Sequence, residues 1–126
     1  MKTRIVEDED LYEILGWYKD QGFPANFDQN LLPPTGVWVP GHACGWLYES
    51  DSALGWLGFP VVSPHVSREN GFKALSAVFD EIDIIARESG IAILTTAFSH
   101  TSLQRMASLK NYEVIDTDVK TMWKVV

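Results

Sequence analysis

The chain has 126 residues, 46% of them apolar, enough for one domain spanning residues 1–126 whose core needs no metal or disulfide staples. Seventeen acidic residues against ten basic ones leave a formal charge of −7, which repels a phosphate backbone and argues against nucleic acid as a partner. One cysteine, Cys44, cannot close an internal disulfide, no run approaches membrane-spanning length, and the start Met1-Lys2-Thr3-Arg4-Ile5-Val6 lacks the apolar stretch of a signal peptide, so a soluble cytoplasmic protein with no membrane partner is expected.

Arg4-Ile5-Val6 reads as a short strand, and Asp8 is placed to cap a helix whose apolar positions Leu11, Ile14, Leu15 and Tyr18 recur at helical spacing before Gly22. Phe23 to Pro34 has no steady period and three prolines, which predicts a surface loop of the length that often serves a ligand. Val37-Trp38-Val39, the turn Pro40-Gly41-His42 and Ala43 to Glu49 predict a hairpin, and Ser50-Asp51-Ser52 turns the chain into a third strand, Ala53 to Val62. Folding about Asp51 sets Trp46 opposite Trp56, and Trp38, Trp46 and Trp56 alternate as core residues would. Any tryptophan left exposed would make a good protein-binding anchor. Pro60 cannot donate a ladder bond, so pairing is expected to be interrupted there.

From Ser67 to Ser89 the residues Phe72, Leu75, Phe79, Ile82 and Ala86 step by three and four, predicting a long helix that Gly90 stops. Ile91 to Ala97 reads as a strand buried on both faces. Thr101-Ser102-Leu103-Gln104 fits a capping box for a short helix, and Tyr112 to Ile115 and Met122 to Val126 read as two closing strands.

The most informative stretch is Val61-Val62-Ser63-Pro64-His65-Val66-Ser67-Arg68-Glu69-Asn70-Gly71, a strand that breaks into a polar loop and opens the long helix. Amides of a helix's first turn lack intrahelical acceptors and sit at the positive end of its dipole, so such a junction can receive a phosphate. The plainer reading is a strand-to-helix connection with Ser67 as N-cap. Three histidines at positions 42, 65 and 100 lack metal-ligand spacing, and there is no Cys-x-x-Cys, no Gly-x-Ser-x-Gly and no Gly-x-x-x-x-Gly-Lys, so no metal, serine-hydrolase or P-loop reading is supported. Imidazole is the side chain suited to proton transfer near neutral pH, which makes His65 and His100 candidate proton carriers, although a solvated or capping role is the favoured reading of each.

The element order, with Val62-x-Pro64 then Arg68-x-x-Gly71 after the fourth strand and Asn111-Tyr112 after the last helix, resembles the GNAT superfamily of acetyl-CoA-dependent N-acetyltransferases over nearly the whole chain. The resemblance implies an α/β fold with a mixed, mostly antiparallel sheet flanked by helices, its fourth and fifth strands splayed around the cofactor. It assigns Val61, Val62, Arg68, Glu69, Asn70, Gly71 and Phe72 to acetyl-CoA, and leaves His100, His65 and Tyr112 as candidate catalytic groups. The departures are specific. One extra residue precedes Arg68, Lys73 stands where a small residue is expected, Ala107 stands where a proton-donating tyrosine is common, and Ala53 to Val62 carries no carboxylate. The function implied is acetyl transfer to an amine of a small molecule or protein. The alternative is a non-catalytic GNAT-like module that binds, or inhibits, a partner protein, and a homodimer is compatible with either.

Overall fold

β-Branched and aromatic residues at alternate positions build the centre of the sheet, where β2 (Thr35–Val39) and β3 (Ala43–Tyr48) pair across a turn in which Gly41 takes φ +77°. The computed structural model describes residues 1–126, and adds β1 (Arg4–Ile5), α1 (Leu11–Asp20), β4 (Leu54–Val62), α2 (Arg68–Glu88), β5 (Ile93–Thr95) and α3 (Thr101–Leu109). The sheet runs β1-β2-β3-β4-β5 in space; only β4 and β5 are parallel, joined by α2 as crossover.

Alternation sorts the strand residues into two cores. Val37, Val39, Ala43, Leu47 and Leu57 face α2, meeting Leu75, Val78, Phe79 and Ile82. Trp38, Cys44, Trp46 and Val61 face α1, meeting Ile14, Trp17 and Tyr18. Close approach is needed at Gly36, where an added Cβ would stand 2.3 Å from the Trp46 ring. Cys44 is fully buried, and burial pushes its thiol well above the ordinary range, as befits an inert packing residue.

Several sequence expectations are corrected. Glu7, not Asp8, is the N-cap at the first helix: a single 3-10 turn (Asp8–Asp10) precedes α1, with the Asp10 carboxylate accepting from the Glu7 amide at 2.8 Å. Trp46 lies opposite Gly58 and Trp56 opposite Tyr48, because the turn centres on Ser52, where the Ser50 hydroxyl donates to the Leu54 carbonyl at 2.6 Å. Moving the centre by one residue shifts the register by two and keeps each side chain on its face. Trp56 remains 44% exposed, since α1 does not extend over the Leu54–Trp56 half of β4. His100, not Thr101, caps α3, its Nδ1 accepting from the Ser102 amide at 3.2 Å.

The two closing strands do not form in the single chain: residues 113–126 make no ladder. β5 is therefore an edge strand rather than one buried on both faces, and Ile93 is 60% exposed. The end of α3 is nonetheless well defined. Asn111 takes φ +68° and the Tyr112 amide returns to the Ala107 carbonyl at 3.0 Å, a left-handed cap that asparagine fills in place of glycine.

Candidate active site

β4 and β5 pair only as far as Trp56 and Thr95. The Thr95 and Thr96 hydroxyls close the junction by donating to the Gly55 carbonyl at 3.1 Å and the Leu57 carbonyl at 2.8 Å. Beyond them the strands part, so the divergence begins after Leu57, ahead of Pro60 and not at it. Against β3, the effect of Pro60 is local. Phe59 and Pro60 together oppose Gly45, forming a bulge, and pairing resumes at Cys44 with Val61 and Ala43 with Val62.

The bulge is held from the α1 side. Phe59 takes φ +48°, a strained value for an aromatic residue, and its carbonyl accepts a hydrogen bond from the Tyr18 hydroxyl, which accepts from Trp46 Nε1 at 2.9 Å. The Phe59 ring packs on Phe27 with centroids 4.9 Å apart and near Phe23 at 6.3 Å. Burial raises the Tyr18 hydroxyl's pKa well above its ordinary value, so it stays a neutral donor. The split thus opens beside a fixed backbone kink with an aromatic wall.

At the far end of β4 the chain enters α2 through two hydroxyl-closed turns. Ser63 Oγ accepts from the His65 amide at 3.1 Å, and Ser67 Oγ caps α2 by accepting from the Asn70 amide at 3.1 Å. The Gly71 amide already bonds the Ser67 carbonyl at 2.8 Å, leaving Arg68 and Glu69 as first-turn residues without intrahelical acceptors. Gly71 itself serves packing. An added Cβ would lie 2.6 Å from Val62 Cγ1, so glycine lets the start of α2 rest on the end of β4.

The other residues anticipated at the cofactor site divide by environment. Val61 is buried in the ladder with β3 and Val62 is partly buried, while Arg68, Glu69 and Asn70 are exposed at the helix start. Lys73 pairs with Glu69 at 3.1 Å on the surface of α2, so its charge is at the helix start but shared with a carboxylate. Phe72 is half-buried under Arg105 of α3, whose guanidinium carbon stands 5.7 Å from the ring centre. Arg105 escaped the sequence reading. It lies more than thirty residues from the loop it neighbours, and no local spacing signals that approach.

The three candidate proton carriers do not converge. The Tyr112 ring packs on Phe79 at 6.3 Å, and burial, reinforced by the Asp83 charge, pushes its phenol above the ordinary range. His100 is engaged as the cap of α3; with Nδ1 accepting, the neutral ring carries its proton on Nε2 and can only donate there. His65 lines an open groove of about 990 Å³ on the α1 side, together with Tyr12, Asp20, Phe23 and Ser63. No cluster of histidine, cysteine and carboxylate suited to a metal occurs. No helix is long and apolar enough to cross a membrane.

No family model matches the sequence, and no curated protein matches it significantly. Solved structures do match its backbone. Rv2747 from Mycobacterium tuberculosis, in complex with CoA and NLQ, superposes with a TM-score of 0.74 at 16% identity over 95% of this chain and 76% of that one. SP0256, a GNAT-family acetyltransferase from Streptococcus pneumoniae TIGR4, gives 0.70 at 14% identity over 99% and 97%. This chain has the GNAT fold. The aminoglycoside acetyltransferase AAC(6')-Iy, bound to a CoA-based bisubstrate analog, agrees at 0.67 with 11% identity over 98% of each chain. The parted β4 and β5, with the start of α2 at the mouth of the gap, thus sit in a backbone that matches these neighbours at only 11–16% identity.

Proposed function

We propose that residues 1–126 work as one acyl-CoA-dependent N-acyltransferase domain that moves an acetyl group from acetyl-CoA to an amine. The observation that carries this reading is the gap between β4 and β5, which ends at the start of α2 with Arg68 and Glu69 amides unspent and Arg105 alongside. The chemistry of that set suits a pyrophosphate: backbone donors, a helix dipole and guanidinium groups. Likeness to acetyltransferases solved with CoA-type ligands supports the same reading.

Bound acetyl-CoA would supply an activated acetyl thioester. The amides of Arg68 and Glu69, with the side chains of Arg68 and Arg105, would hold its phosphates, and the parted β4 would offer backbone groups along the gap. The amine would enter from the groove side, past Phe23, Phe27 and Phe59, and lose its proton through water to His65, which lines the same groove at the phosphate end. His65 is preferred over His100 because its ring makes no hydrogen bond within the protein, whereas His100 is spent on capping α3.

A second reading, a binding module without catalysis, draws on the packing role of Tyr112 and the carboxylate-free β4. Calorimetric titration with acetyl-CoA, followed by thiol release from acetyl-CoA over a panel of primary amines, separates the two. Binding that weakens at least tenfold in Arg105→Glu, with amine-dependent thiol release, is expected. Absence of binding at millimolar acetyl-CoA would favour the module.

A further inference from the structure

Where β4 leaves β5, the α1 face of the sheet carries a wall of aromatic rings. Trp56 is the last residue of β4 paired with β5, and it remains 44% exposed. Tyr48 lies opposite it on β3 and packs on the α1-side core, so both side chains belong to that face. The two rings close over Gly58, where an added Cβ would stand 2.7 Å from Tyr48 Cε2 and 3.2 Å from Trp56 Cδ1. Phe59 follows, 38% exposed, with the Phe27 ring edge-on at 4.9 Å and the Tyr48 ring edge-on at 6.2 Å. Trp56 and Phe59 thus flank a bare glycine at the start of the gap.

No group free to take a proton stands among these rings. The Tyr48 hydroxyl donates to the Leu31 carbonyl at 2.6 Å, and burial pushes its pKa up to about 12. The Tyr18 hydroxyl is spent on the Phe59 carbonyl and Trp46 Nε1. Asp28, next to Phe27, turns back to cap the turn at Gln29–Leu31, accepting from the Asn30 amide at 2.8 Å. Glu49 and Asp51 are exposed in the turn before β4, at its paired end and not at the gap. Glu13, Lys19 and Asp20 line the neighbouring groove from α1 as exposed charges of both signs, screened by solvent.

Such a wall is ill-suited to an alkyl amine. With a pKa near the lysine value of about 10.4, roughly one molecule in 2,500 is neutral at pH 7, and the rest must shed a proton and the hydration of a charge before they can attack. An amine borne directly on an aromatic ring shares its lone pair with that ring, is neutral at pH 7, and brings a flat apolar surface that stacks on other rings. Resting on the acetyl-transfer reading above, we propose that the acceptor is a planar aryl amine whose ring lies against Trp56 and Phe59 over Gly58, and that these two side chains set the acceptor specificity. The neutral nitrogen attacks the thioester carbonyl carbon, so that the C–N bond forms and the C–S bond breaks. CoA leaves as a thiolate that takes a proton from solvent, and the nitrogen loses its own proton after attack, through water to His65.

The test compares two isomers that differ in where the nitrogen is attached, 4-methylaniline and benzylamine, by thiol release from acetyl-CoA. At pH 7 the value of kcat/KM is expected to be about tenfold or more higher for 4-methylaniline, and to stay level for it from pH 7 to 9. Trp56→Leu and Phe59→Leu should each raise its KM about tenfold while acetyl-CoA binds as to the wild type. Without acetyl-CoA, the ring-proton NMR signals of 4-methylaniline should broaden on adding wild-type protein and far less on adding Trp56→Leu, which changes an exposed side chain and keeps the fold by circular dichroism. If acetyl-CoA binds but benzylamine is preferred at pH 7, if the rate with 4-methylaniline climbs about tenfold per pH unit, or if its KM ignores both substitutions, the acceptor assignment alone is overturned. If calorimetry shows no binding of acetyl-CoA, the acetyl-transfer reading falls and the aryl amine with it.

Discussion

The Tyr18 hydroxyl donates to the Phe59 carbonyl, so α1 holds the single residue of β4 whose backbone is left-handed. The same hydroxyl accepts from Trp46 Nε1, and the three residues form one chain of donors and acceptors through the α1-side core. Tyr18→Phe removes both bonds and leaves the Trp46 indole unpaired in a buried site. A loss of about 1–3 kcal/mol is expected, read from urea unfolding, together with slower acetyl transfer if the kink aligns the gap. Unchanged stability would mean that the bulge is fixed by β3 pairing alone.

Gly71 lets the start of α2 lie close against Val62 of β4. Gly71→Ala should cost about 1–3 kcal/mol through the clash with Val62 Cγ1, and Val62→Ala in the same chain should recover part of that loss. Denaturation of the single and double variants gives the coupling. Strict additivity would show that the helix start yields freely instead.

Asp10 couples the N-terminal turn to β1. The Arg4 guanidinium, bonded to both carboxylate oxygens at 2.7 and 2.9 Å, holds the Asp10 pKa below its ordinary 3.8, opposed by burial and aided by the Glu7 amide. A lowered folded-state value means stability that is complete above the unfolded value and is lost as pH falls through the folded one. Asp10→Asn should therefore be less stable than wild type at pH 7, with the difference shrinking progressively below about pH 4. Thermal melts over an acid series check this, and a difference that is constant with pH would contradict it.

His65 and His100 should respond oppositely to replacement. His65→Ala is expected to slow acetyl transfer by about 10²-fold or more while leaving stability and acetyl-CoA binding intact. His100→Ala removes the cap of α3 and should cost about 0.5–2 kcal/mol with little effect on rate beyond that. Steady-state rates beside thermal melts distinguish them, and the reverse pattern would move the proton acceptor to His100.

The long helix, the meander and the strand-loop-helix junction were legible in the sequence because each rests on local rules. Phe72 to Ala86 repeats at helical spacing, Gly41 and the serines around Ser52 mark the turns, and Ser67 stands where a cap must. Pro60 also signalled a break in pairing, since a missing N–H is a property of the residue itself. Register against β3 was missed by two residues, because hydrophobic alternation is unchanged by such a shift.

What only the tertiary structure decided are relationships between segments distant in sequence. Gly71 looked like a residue making room for a phosphate, but its neighbour is Val62, and only the packing of α2 on β4 shows that the missing Cβ is filled by protein. Arg105 reaches Phe72, and Tyr18 reaches Phe59, across the order of the chain. The apolar composition of Met122 to Val126 gave a strand propensity but not a partner. A strand exists only when another backbone satisfies its donors and acceptors, and local sequence carries no information on which backbone that will be. Composition and periodicity therefore determined the elements and the polarity of their faces, whereas the parting of β4 from β5, the bare β5 edge and the environment of each histidine were decided by how those elements pack.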